Sequence, residues 1–329
     1  MNLTRLPKVE LHIHLDCSLS FEVVQAIDPS IDYETYHRSF VVPPKCPDLT
    51  SYLEVAVRGA TLMQTKAHLQ LVTQDLFRQL QADNVIYAEL RFAPLQHLAQ
   101  GLRPEEVVAT VADAVEVGRE ATGIEAGIIL CTMRSYSEAQ SMNTVRLVET
   151  FQDQHVVGFD IAGDEAGFPL DNHVKAFTYA RERGIPRTAH AGEACGPAGI
   201  WQTLEQLQVG RLGHGVRSAA DPDLVKHLRH KGIHLELCPT SNVRTHAVPD
   251  YASHPIDGLY RQGVSLSINT DGRNLLDLTL SKEYQRLEDH FDWQKEHYLK
   301  CNLEAIKHAF ASEEVKKQIR NRILNAYVQ

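Results

Sequence analysis

A chain of 329 residues, 43% hydrophobic and 23% charged, has ordinary proportions for a globular protein and is long enough for two average domains or one α/β barrel. Its net charge of −9, carried without a basic cluster or tail, argues against nucleic acid or an anionic membrane as partner. No apolar run approaches the roughly 20 residues of a membrane span, Met1-Asn-Leu-Thr-Arg5 has no signal pattern, and six scattered cysteines form no C-x-x-C pair, so a reduced cytoplasmic setting is expected.

The first element is a strand over Val9–Leu15, within PKVELHIHLDCSL. Period-2 alternation puts Leu11, Ile13 and Leu15 on one face and His12 and His14 on the other. Two imidazoles on one face are either hydrogen-bonded core histidines or two ligands offered to one metal. The stretch Pro29–Leu62 follows and is the least regular, with Pro43-Pro44-Lys45-Cys46-Pro47 inside it, which predicts a lid or rim element. Seven further strands are expected at Val85–Phe92, Glu125–Thr132, Val156–Ile161, Arg187–Ala191, Arg211–His214, His234–Cys238 and Ser265–Thr270. Amphipathic helices fall between them at Ala67–Ala82, Pro104–Thr122, Ser137–Gln152, Asn172–Arg183 and Asp221–Lys231, with Gly101, Gly184 and Gly232 at expected helix ends. The tail from about Leu276 to Val328 reads as added helices. Eight strands with helical crossovers predict an α/β fold of the (β/α)8 TIM-barrel type, one domain over 1–329, with extra helices after strand one and at the C-terminus.

In such a barrel the chemistry gathers at the C-terminal strand ends. There stand His12, His14 and Asp16; Gly163-Asp164-Glu165; His190-Ala-Gly-Glu193; Gly213-His214-Gly215; Glu236 through Asn242; and Asn269-Thr-Asp271. Three imidazoles and a carboxylate, His12, His14, His190 and Asp271, suit one Zn²⁺ with a position left for water, whose pKa the ion would bring toward neutrality. Glu193 is then placed to exchange protons with a substrate, and His214 to orient the attacking water or shuttle its proton. Each residue has a plainer reading: Glu193 as a carboxylate at a helix start, His214 as a loop histidine, Asp271 as a helix cap. Their joint placement on strands one, five, six and eight favours the site.

At these residues the sequence closely resembles the adenosine deaminase family of metal-dependent amidohydrolases. The matches run in family order: PKVELHIHLD (7–16), YAELRFAP (87–94), VVGFDIAGDE (156–165), TAHAGE (188–193), RLGHG (211–215), LELCPTSN (235–242) and SINTD (267–271). The resemblance implies one zinc bound by His12, His14, His190 and Asp271, Glu193 as proton donor to purine N1, and His214 and Asp271 as the groups handling the water that attacks C6. It further implies that Gly163 meets N3, that Asp16 meets the ribose 5′-hydroxyl, and that Ser241 and Asn242 support the ligands. Strand five lacks the lysine that bridges two metals in some amidohydrolases, so one metal is expected.

Two positions depart from the family pattern. Where NTDDP is usual this chain has NTDGR, so Gly272 replaces the aspartate that contacts purine N7, with Arg273, Asn274 or a water as candidate substitutes. Cys17 stands where a glycine is common. The expected substrate is adenosine or 2′-deoxyadenosine, as the HLD sequence favours a nucleoside with its ribose attached. The alternatives are a modified adenine nucleoside such as 6-aminodeoxyfutalosine, an amidohydrolase acting on an amide, lactone or phosphoester, and a silent ligand-binding relative.

Overall fold

The structure is a computed structural model that describes residues 2–328. Its strands are β1 (Lys8–His14), β2 (Val85–Phe92), β3 (Glu125–Met133), β4 (Val156–Ala162), β5 (Thr188–Ala191), β6 (Arg211–His214), β7 (His234–Leu237) and β8 (Leu266–Ile268). They form two parallel four-stranded sheets, β1-β2-β3-β4 and β5-β6-β7-β8. Single parallel bridges, Phe159 to Arg187 and Ile13 to Asp271, join the sheets at both seams and close the predicted eight-stranded barrel. At the second seam His14 N–H donates to Asp271 O (2.7 Å) and Asp271 N–H donates to His12 O (3.0 Å). The bonds that shut the barrel therefore also set three candidate metal ligands side by side.

Around the strands run α1 (Phe21–Ile27), α2 (Tyr33–Phe40), α3 (Leu49–Leu62), α4 (Lys66–Ala82), α5 (Pro104–Thr122), α6 (Glu138–Thr150), α7 (Asp171–Glu182) and α8 (Pro197–Leu207). They are followed by α9 (Pro222–Lys231), α10 (Pro239–Arg244), α11 (Ile256–Arg261), α12 (Leu280–Phe291), α13 (Lys295–His308) and α14 (Glu313–Val328). Local chemistry explains several boundaries. Pro104 opens α5 where its missing N–H costs nothing, and Gly123 closes it in the left-handed region. Asp221 caps α9 by accepting from Asp223 and Leu224 N–H, and Gly232 ends it at φ 65°. Leu11 and Ile13 join the large apolar core with Leu69, Val72 and Leu76 of α4. No helix of the described residues is long and apolar enough to cross a membrane.

Three expectations change. The stretch Pro29–Leu62 is mostly helical, as α2 and α3, with the short turn before α2 and the proline-bearing connection between the helices irregular. Helix α3 lies directly over the turn Leu15–Cys17: a Cβ on Gly59 would fall 1.9 Å from Asp16 O, so the close approach requires glycine there. Gly101 closes a turn onto Leu98 O before α5 and ends no α-helix. Strand β8 is shorter than Ser265–Thr270 because the Asn269 side chain, accepting from Leu11 N–H at 2.8 Å, takes over the pairing with β1.

Candidate active site

Every strand of the barrel delivers its C-terminal end to one mouth, and α3 roofs that mouth over a cavity of about 210 Å³. His14, Asp16, Gly163, His190, Glu193, His214 and Asp271 all line it, together with Cys17 and Tyr52. His12 is fully buried at its base.

One ligand atom from each of His12, His190, His214 and Asp271 falls within 4.8 Å of all the others. His14 stands against this group, its Nε2 3.2 Å from His190 Nε2 and 3.4 Å from Asp271 Oδ1. Hydrogen bonding sorts these five. His12 Nδ1–H donates to Glu236 Oε2 (2.9 Å) and His190 Nδ1–H to Asp160 Oδ2 (3.0 Å), so each presents a bare Nε2 lone pair to the cavity. His12 Nε2 is buried without a hydrogen-bond partner, the state expected of a nitrogen whose partner is a cation.

His214 is wired the other way. The Ile256 N–H donates to His254 Nδ1 (3.2 Å), His254 Nε2–H donates to Asn242 Oδ1 (3.3 Å), and Asn242 Nδ2–H donates to His214 Nδ1 (3.0 Å). This chain assigns the neutral His214 its hydrogen on Nε2, which faces Glu193 Oε2 at 3.4 Å. His214 is thus a donor at the cavity, whereas His12 and His190 are acceptors. Burial, followed by the nearby His12 ring, holds its pKa well below the usual histidine range. The donor set of two bare imidazole nitrogens, His14 beside them and a carboxylate fits a divalent metal of the zinc type.

Asp271 and His214 are both non-glycine residues in the left-handed region, at φ 65° and 59°, a strain that the surrounding bonds must hold. Asp271 Oδ2 accepts from Ser241 Oγ (2.7 Å) and from Tyr52 OH (3.1 Å), while Oδ1 faces His12 and His14. Burial raises the Asp271 pKa, but the His12, His14 and His214 rings around it outweigh that and keep it well below the usual carboxylate range. Glu193 goes the opposite way. Burial first, then repulsion from Asp271 and Glu165, pushes its pKa far above 4.5, and Oε1 has no partner. Burial and neighbouring charges thus push two carboxylates of one cavity in opposite directions.

Among the positions expected at the substrate, Asp16 and Gly163 line the cavity, Gly163 at φ 101°, and burial lifts the Asp16 pKa to about 7. Gly272 does not line it; Cys17 does. A Cβ on Gly272 would come 2.9 Å from Cys17 Cβ and 3.1 Å from Leu275 Cβ, so the two departures from the family pattern share the space of one side chain. Arg273 and Asn274 are not substitutes at the cavity. Arg273 is buried in ion pairs with Glu10 (3.1 Å) and Asp83 (2.9 Å), and Asn274 lines a separate groove.

Sequence reasoning passed over the layer beneath. Arg91 bridges Asp160 (2.8 Å) and Glu236 (2.6 Å), the two carboxylates that orient His190 and His12. Arg211 pairs with Glu89 (2.7 Å) and Glu236 (2.7 Å), and Thr188 Oγ1–H donates to Glu236 (2.9 Å). The signal was available: Glu89, Arg91, Asp160, Arg211 and Glu236 are charges within strand segments, and inside a barrel each needs a partner.

An eight-stranded parallel barrel with histidines, an aspartate and a buried glutamate at its mouth defines a hydrolase of the amidohydrolase class. The adenosine deaminase family model matches residues 7–326, and the chain belongs to that family. It is 34% identical over 330 residues to an adenosine deaminase of Enterococcus faecalis, covering 98% of both chains, and 34% identical over 325 residues to one of Clostridium acetobutylicum, covering 97% of both. Its fold is similar to that of an adenine deaminase from Arthrobacter aurescens (TM-score 0.91, 24% identity, 98% of this chain and 100% of that one). It is also similar to a Burkholderia ambifaria amidohydrolase with bound Zn (TM-score 0.90, 22% identity, 99% and 92%). The chain is accordingly a hydrolase acting on a C–N bond of a purine, an adenosine deaminase-like deaminase.

Proposed function

We propose that this protein is a zinc-dependent hydrolytic deaminase that converts adenosine and 2′-deoxyadenosine, with water, to inosine and 2′-deoxyinosine plus ammonia. The observation that carries the reading is Glu193 Oε1, a buried, unpartnered carboxyl oxygen in the cavity beside the converged imidazoles. One Zn²⁺ per chain, held by His12, His14, His190 and Asp271, would supply Lewis acidity that brings the pKa of water toward neutrality. Glu193 holds its proton for purine N1, which draws electrons from C6. His214 Nε2–H orients the water that adds to C6. Asp271 takes one proton of that water and passes it to the amino group, which leaves as ammonia, while the remaining hydroxyl proton returns to Glu193 as the C6 carbonyl forms. Asp16 and Gly163 are the walls offered to the ribose 5′-hydroxyl and N3, and Gly272 acts only through Cys17. The family match over 7–326 supports one deaminase domain, and the six free cysteines support a cytoplasmic setting.

The cavity wall also speaks to the substrate's charge. An Arabidopsis relative of this fold was solved with IMP, a nucleotide. Here the wall contains the carboxyl groups of Asp16, Asp164 and Asp271 but no lysine or arginine, which favours an uncharged nucleoside over a phosphorylated one. The test is a panel of adenosine, 2′-deoxyadenosine, ribose-modified adenosines, adenine and AMP, incubated with zinc-loaded protein and read by ammonia release. Adenosine turnover with AMP inert is expected; a panel that releases no ammonia refutes the reading.

A further inference from the structure

The sequence Asp164-Glu165 follows β4, and neither the donor set nor the proton donor uses Glu165. The structure puts its carboxylate, 6% exposed, under the turn that follows β5. Four consecutive backbone N–H groups converge on it: Gly192 donates to Oε1 (2.7 Å), and Glu193 (3.0 Å), Ala194 (2.7 Å) and Cys195 (2.9 Å) donate to Oε2. Successive N–H groups aimed at one point form an anion-binding concavity, and here the anion is supplied by the chain itself. Bonds of this charge-assisted type are about twice as strong as neutral ones. Gly192 makes the concavity possible, with φ 76° and a would-be Cβ 2.4 Å from Ile200. The carbonyl side of the same turn is held by Arg217, whose Nε–H donates to Glu193 O (2.9 Å).

We infer that Glu165 is a positioning residue for catalysis: its carboxylate gathers four N–H groups of residues 192–195 and thereby aims the Glu193 side chain into the cavity. The inference rests on the reading of Glu193 as proton donor. Glu165 has a second influence, as its negative charge is among the causes that favour the protonated form of Glu193. An amide at 165 would offer one acceptor oxygen and turn an N–H₂ toward a cluster of donors, so the turn would lose its centre.

The experiment is a double-mutant cycle on the zinc-loaded enzyme with adenosine. Glu165→Gln should lower kcat about 30- to 100-fold, move KM less than about 3-fold and leave zinc stoichiometry unchanged. In a Glu193→Gln background the same change should cost less than about 3-fold, because a residue that acts through another has nothing left to act on. A near-wild-type Glu165→Gln, or effects that multiply in the double variant, overturns the inference. If Glu165→Gln does not accumulate as folded protein, Glu165→Ala prepared in formate replaces it. Saturable recovery of kcat by formate only when Glu193 is present then supports the inference. Formate-independent activity, or failure of both variants to fold, assigns Glu165 to the scaffold alone. Wild-type enzyme that deaminates nothing would count against the proposed function, whereas active wild type with an indifferent Glu165→Gln counts only against this inference.

Discussion

Strands β1–β4 run for seven to nine residues and pair along their length, whereas β5–β8 run for three or four. The second half nevertheless supplies His190, Glu193, His214 and Asp271, and it holds the left-handed residues Gly192, His214, Gly215 and Asp271. Where the ladder stops early, side chains take over: Asn269 onto β1, Glu165 under the β5 turn, and the His254–Asn242 chain behind His214. The first half sends its rigidity across the axis, since Arg91 of β2 pins Glu236 of β7 while pairing Asp160 of β4. Chemistry is thus concentrated where regular structure is least, and stiffness is borrowed from the opposite wall.

That division predicts separable mutants. The largest effect belongs to the second half: Glu193→Gln should cut kcat by about 10²- to 10⁴-fold with metal content and thermal midpoint unchanged. A rate within about threefold of wild type would remove Glu193 from its role. Next comes the brace. Arg91→Met leaves Asp160 and Glu236 with a missing partner and should destabilise by about 3–5 kcal/mol in urea titrations. It should also weaken zinc binding by about 10- to 100-fold, because those carboxylates orient His190 and His12. Unchanged zinc affinity would show that the two halves are not coupled through this guanidinium.

The third test probes the seam. Gly272→Asp should destabilise by about 1–3 kcal/mol through its collision with Cys17, and adding Cys17→Gly should recover most of the loss. A single variant as stable as wild type would show that the two side chains do not compete for one space. The smallest effect lies outside the site, at His97, whose Nδ1–H donates to Met63 O while burial lowers its pKa from 6.5 to about 4. A histidine kept neutral in the fold binds fewer protons than in the unfolded chain. Its share of stability is therefore complete above the unfolded pKa and is lost as pH falls from about 6.5 toward 4. Wild type should lose about 1 kcal/mol more than His97→Gln between pH 7.5 and 5.5, measured by urea unfolding at both pH values. Parallel losses would remove His97 as the source.

Much of this molecule follows from local pattern. Alternation within VELHIHL forces both histidines to one face whatever the rest of the chain does, and the strand and helix periods that follow allow few folds other than a closed barrel. The polar residues at strand ends were legible for the same reason, because a strand's C-terminal edge in such a barrel is always the mouth. What the tertiary structure decided are relations between segments far apart in sequence. It turned Arg273 away to Glu10 and Asp83, and it gave Cys17 and Gly272 one space to share. It fixed the His214 proton through His254 and set Glu165 beneath Glu193. Periodicity says which way a side chain points from its own strand. The group it meets across the barrel depends on closure, which no local window of residues contains.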